Sequence, residues 1–142
     1  MKRLFILLLV SGAVSLTACA QKLDASKVPS SVKESFAKQF PGVTAKWEKE
    51  DGNYEAGFKH QGHEMSALFE ASGTMTESEM AIKVSDLPGT VSEYIKTHYN
   101  NSKIKEAAKI TRSNGEVNYE AEVKGKDVIF DANGNFLKEA KD

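Results

Sequence analysis

The chain carries one pattern twice. Residues 27–45, KVPSSVKESFAKQFPGVTA, align with residues 86–104, DLPGTVSEYIKTHYNNSKI, at a constant offset of 59. Val28, Pro29, Val32, Phe36 and Phe40 fall opposite Leu87, Pro88, Val91, Ile95 and Tyr99. Downstream, GNYEAGF at 52–58 matches VNYEAEV at 117–123, and ALFEASGTM at 67–75 matches VIFDANGNF at 128–136. A repeat of this kind narrows the possible folds, because each copy must be one supersecondary unit. A unit of about 55–60 residues buries too little apolar surface to be comfortable alone, so the copies are expected to share a core or a continuous sheet.

Each copy opens with a helix. Val32, Phe36 and Phe40 recur at i, i+4 and i+8, and Val91, Ile95 and Tyr99 repeat the stripe. Pro29 suits the first turn of such a helix, Pro41-Gly42 stops it, and Asn100-Asn101 supplies a left-handed end to the second. The period then switches to two. Val43, Ala45 and Trp47 share one face, as do Tyr54, Ala56 and Phe58, and then Met65, Ala67 and Phe69. In the second copy, strands are expected at 104–110, 117–123, 128–130 and 136–140, separated by Asn114-Gly115, the Lys-Gly-Lys at 124–126, and Asn133-Gly134. The predicted class is α+β: two tandem units of a helix and three or four antiparallel strands, at 27–84 and 85–142, with one sheet able to run through both.

The N-terminus is of another kind. Met1, Lys2 and Arg3 precede an uncharged run, Leu4 to Leu16, which is shorter than the roughly 20 residues a membrane-spanning helix needs and has the length of a signal-peptide core. Leu16-Thr17-Ala18-Cys19 follows and resembles the lipobox of bacterial lipoprotein precursors. The resemblance implies a signal peptide at 1–18, a diacylglyceryl group on the sulfur of Cys19, and a lipidated N-terminus and polar linker at 19–26. Cys19 is the only cysteine, so a lipidated mature chain has no thiol left for disulfides, nucleophilic catalysis or zinc. More than one acyl chain makes a stable anchor at about 0.8 kcal/mol per buried methylene. No Asp follows Cys19, which resembles lipoproteins sent to the outer membrane; the expected location is the envelope, facing the periplasm.

The helix stripe, the Tyr-Glu strands and the Phe-(Asp/Glu)-Ala-x-Gly turns resemble the PepSY-like lipoproteins, two-copy envelope proteins with a fold similar to the β-lactamase inhibitor protein. The resemblance spans 27–141. It implies tandem helix-plus-sheet units, a sheet face free to meet a partner, and no established enzyme activity. Inhibition of β-lactamase does not follow, since a fold does not confer a function and no residue here maps to an inhibitory contact.

Candidate sites are few. His60 and His63 flank Gln61-Gly62 and are the only weak candidates for a metal, for which two imidazoles at a hairpin tip are too few; three or four ligands are the rule for structural zinc. Asp131-Ala132-Asn133-Gly134-Asn135 lacks the spacing of a calcium loop: Gly134 is fourth, and the twelfth position is Asp142. It reads as a turn. Trp47, Tyr54 and Tyr119 are expected in the core, with a binding face as the alternative. His98 falls at the edge of a helix stripe. Glu48, Glu50, Asp51, Glu120 and Glu122 are expected to point outward on a solvated face. The motifs G-x-S-x-G and G-x-G-x-x-G are absent, and no catalytic residue or cofactor site is predicted. A formal net charge of −1 argues against nucleic acid as a partner. The expectation is a non-enzymatic, lipid-anchored module that binds another envelope protein, with membrane contact through Cys19. A periplasmic sensor of a small molecule or metal is the alternative, and an inert tethered spacer a third reading.

Overall fold

The structure, a computed structural model, describes residues 21–141. Residues 1–20, and with them the expected signal peptide and Cys19, lie outside the described residues. A short strand β1 (Gln21–Leu23) and a 3-10 turn (Ala25–Lys27) lead into α1 (Ser30–Gln39), followed by β2 (Lys46–Glu50), β3 (Asn53–His60), β4 (His63–Phe69) and β5 (Met75–Ile82). A second 3-10 turn (Val84–Asp86) leads into α2 (Gly89–His98), then β6 (Glu106–Arg112), β7 (Val117–Val123), β8 (Lys126–Asp131) and β9 (Phe136–Lys141). The fold is α+β. The strands follow chain order in the sheet, β1 to β9.

Two compact units are present. One comprises 21–80 with Thr111–Gly115; the other comprises Ala81–Ile110 with 116–141. In the first, α1 lays Val32 and Phe36 onto Trp47, Tyr54, Ala56, Phe58, Ala67 and Phe69. Phe36 is the hub: its ring lies 5.0 Å from Phe58, 5.4 Å from Trp47 and 5.3 Å from Phe40, the first two edge-on. In the second unit, α2 lays Val91 and Ile95 onto Ala121, Val123, Val128 and Phe130. Trp47 and Tyr54 are therefore core residues, and Tyr119 packs half-buried against the second core.

Both helices begin one residue later than expected. Pro29 and Pro88 occupy the N-cap position, where extended backbone suits the residue preceding a helix. Asn100 (φ 53°) and Asn101 (φ 56°) do adopt the left-handed conformation that ends α2. Two further expectations change. Val43 and Ala45 precede β2 and only pack against the core edge, because Gly42 (φ 75°) turns the chain before it can pair. Residues 21–26 of the expected polar linker are built in: Gln21–Leu23 pairs antiparallel with β2, and the Asp24 carboxylate accepts the Ser26 N–H at 2.8 Å to cap the 3-10 turn.

The turn closing each copy docks on its helix. The Ser31 hydroxyl donates to the Ala71 carbonyl at 2.8 Å, and the Thr90 hydroxyl donates to the Asn133 carbonyl at 2.9 Å. Gly73 and Gly134 sit at these contacts with φ of 90° and 82°. A Cβ on Gly73 would lie 2.6 Å from the Ser31 carbonyl oxygen, and one on Gly134 2.0 Å from the Thr90 hydroxyl. The repeated Gly is thus required by close approach as well as by backbone sign.

Candidate functional site

Alternation along the strands of the first unit sends one set of side chains to α1 and the other set to the opposite face. Cross-strand register lines the second set into a row: Lys22 opposite Glu48, Glu48 opposite Glu55, Glu55 opposite Leu68, and Leu68 opposite Glu77. Glu50 lies two residues along β2, and Glu79 lies opposite Ser66. Glu48, Glu50 and Glu55 are half-buried; Glu77 and Glu79 are buried. Directly opposed like charges such as Glu48 and Glu55 are destabilising in a sheet. Burial, followed by repulsion from Asp51 and Glu48, raises the pKa of Glu50 above its ordinary value. At the end of the row, Glu77 meets the Arg112 guanidinium at 2.8 Å, and the Ser113 N–H donates to the Thr76 carbonyl at 2.9 Å. Glu48, Glu50, Glu55 and Leu68 keep part of their surface exposed on this face, whereas Glu77 and Glu79 are buried and Glu77 is paired with Arg112.

In the second unit the expectation of solvated acids is overturned. Glu120 is 0% exposed, Glu122 5% and Asp127 2%, on the face opposite α2 together with Ile110 and Ile129. Glu120 lies opposite Ile129, and Glu122 opposite Asp127. Lys105 reaches Glu122 at 3.0 Å, and the Lys105 N–H donates to the Glu122 carbonyl at 2.8 Å. The alternation was legible; that β7 and β8 are buried on both faces was not. Glu77, Glu79, Asp127, Lys105 and Arg112 were missed altogether. The alternation in MTESEM at 75–80 was the signal that could have found the first two.

The remaining candidates are placed as follows. His60 and His63 are register partners across the β3–β4 hairpin; the His60 ring lies edge-on to Phe40 at 5.7 Å, and His63 is exposed. Among the described residues no group of three His, Cys, Asp or Glu side chains is placed to hold a metal ion. Asp131 is consumed by its own turn: Oδ1 accepts the N–H of Asn133 and of Asn135, each at 2.9 Å, and Oδ2 accepts the Asn135 amide. His98 is exposed and stacks on Tyr94 at 4.0 Å.

A family model described as "Putative beta-lactamase-inhibitor-like, PepSY-like" matches residues 14–75 and again 52–138. The chain belongs to the PepSY-like family. Solved structures carry the same fold. A BLIP-like protein of Bacteroides fragilis is 26% identical, with a TM-score of 0.61 over 78% of this chain and 84% of that one. A DUF2874 family protein of Bacteroides ovatus is 18% identical, with a TM-score of 0.65 over 78% of this chain and 85% of that one. A Bacteroides eggerthii protein described as "putative periplasmic" is 14% identical, with a TM-score of 0.68 over 79% and 87%. No functionally curated protein matches this PepSY-like chain. Its fold is BLIP-like, and the family description names no reaction.

Proposed function

We propose that the chain is a lipid-anchored envelope protein, held through Cys19 in the outer membrane and facing the periplasm, that acts without catalysis by binding a basic surface of another envelope protein. Regulation or inhibition of that partner is the expected consequence. One observation carries this reading: the half-buried carboxylates Glu48, Glu50 and Glu55 gathered on the sheet face opposite α1, with Glu48 and Glu55 in direct register, a placement that sheets disfavour for like charges. Sheets violate such local rules mainly where function requires it, and complementary charge gives a partner both orientation and speed of encounter. The lipobox-like Leu16-Thr17-Ala18-Cys19 supports the tether, and the periplasmic description of a structural relative supports the compartment.

The test is crosslinking in intact envelopes with C-terminally tagged protein, with Glu48→Lys/Glu55→Lys and Glu93→Lys on the exposed side of α2 run in parallel. A stoichiometric partner retained with Glu93→Lys and lost with the double reversal supports the reading. Equal recovery from both variants, or recovery of the chain alone, overturns it.

A further inference from the structure

Soft metal ligands are scarce in this chain and unevenly placed. Of its three histidines and four methionines, two of each meet on the α1 side of the first unit. His60 and His63 are register partners across the β3–β4 turn, and Met65 and Met80 are register partners between β4 and β5. Met65 also lies opposite Phe58, a core residue beneath α1, and the His60 ring lies 5.7 Å from that of Phe40, so all four side chains share the face that α1 covers. They occupy its open end: His63 is exposed, and His60, Met65 and Met80 are half-buried. Direct partners in a sheet have Cβ atoms about 4.5–5.5 Å apart, and diagonal neighbours about 7–8 Å, within reach of long side chains. His63 and Met80 are such a diagonal pair, as are His60 and Met65, and His63 and Met65 are about 6.5 Å apart along β4. The neighbouring acids Glu64 and Glu79 alternate to the opposite face.

We propose that His63, Met65 and Met80, with His60 as a fourth ligand, form a binding site for Cu(I). The ligand types select the ion. Thioethers are soft and suit Cu(I), and imidazole suits copper as well, whereas Mg, Ca and Mn want the carboxylate, carbonyl and water oxygens that these four side chains do not offer. Two imidazoles alone are too few for structural zinc; the two sulfurs raise the ligand count for a soft ion. The backbone holds the frame. Gln61 (φ 50°) and Gly62 (φ 83°) form a two-residue turn with both φ positive, which fixes His60 opposite His63. On that frame the unbranched methionine side chains, each with three rotatable bonds, bring their sulfurs toward one ion without moving the strands. The exposed His63 leaves a side from which the ion enters and leaves. The site does not depend on the protein-binding reading, since the acidic row lies on the opposite face of the sheet.

The test uses the full chain in detergent, with Cys19→Ala to remove its only thiol and with a tag free of histidine. Cu(I) is supplied anaerobically with ascorbate against a colorimetric Cu(I) chelator. A single Cu(I) per chain is expected, with nitrogen and sulfur scatterers both present in its X-ray absorption spectrum. Met65→Leu/Met80→Leu conserves volume and apolarity, so Tm is expected to change by only a few degrees, while Cu(I) affinity falls about a hundredfold. His63→Gln is expected to weaken binding as well. Met75→Leu, at the other end of the β4–β5 pairing, and Glu48→Lys/Glu55→Lys are expected to leave it intact. Undiminished Cu(I) binding in the double leucine variant, a nitrogen-only shell, or no Cu(I) retained against the chelator would each overturn the proposal. If the leucine variant unfolds, the absorption spectrum of the chain with both methionines decides. Loss of crosslinking with Glu48→Lys/Glu55→Lys speaks to the acidic row and not to this site.

Discussion

Two glycines show how little room the repeated turn allows. Gly134→Ala combines a φ of 82° with a Cβ 2.0 Å from the Thr90 hydroxyl, and Gly73→Ala meets a backbone oxygen at 2.6 Å. Each is expected to cost about 2–4 kcal/mol in chemical denaturation. Thr90→Ala should restore part of the loss in Gly134→Ala, since the obstructing atom is a side chain. Ser31→Ala should restore nothing in Gly73→Ala, since there it is main chain. Asp131 adds a pH signature. Hydrogen bonds from the Asn135 side chain, then from the backbone N–H of Asn135 and Asn133, hold its pKa below the ordinary carboxylate value. A lowered folded-state pKa contributes stability that is fully present above the unfolded value of about 3.9 and is lost as pH falls through the folded value. Asp131→Asn should therefore be less stable at neutral pH and should show a shallower decline between about pH 5 and pH 2. Glu139, lowered first by Lys126 and then by the Tyr99 hydroxyl, acts in the same direction.

At the scale of elements, the helices were the most legible part. A stripe at i, i+4 and i+8 can be satisfied only by a helix against an apolar surface, and Val32, Phe36, Val91 and Ile95 are all buried against theirs. Phe36→Ala removes the ring on which four other aromatic side chains converge and should cost about 3–5 kcal/mol, read as a lower denaturation midpoint at unchanged slope. The strand β5 was not read residue by residue, because the alternation in MTESEMAI is carried by acids and hydroxyls more than by apolar side chains. Its acids Glu77 and Glu79 are nevertheless buried. At the acidic row, Glu55→Gln removes one charge and should weaken binding of the proposed partner at low ionic strength and by less in salt, read as the crosslinking yield.

For the whole molecule, the compact units are not contiguous in the chain. Thr111–Gly115 belongs with 21–80, joined by Arg112 to Glu77 and by Ser113 to Thr76. The proposed tether is tested at this scale too: Cys19→Ala should move the protein from the membrane pellet to the soluble periplasmic fraction, seen by immunoblot after osmotic release. Recovery in the membrane regardless would end the lipid-anchor reading. Sequence alone determined the element types and the turn chemistry, because periodicity and the need for glycine are local consequences of covalent geometry. It determined equally which side chains share a strand face. Whether that face meets water or the interior depends on what packs over it from elsewhere in the chain. For this reason Glu120, Glu122 and Asp127 could be assigned a face from the sequence, but only the tertiary structure decided that they are buried.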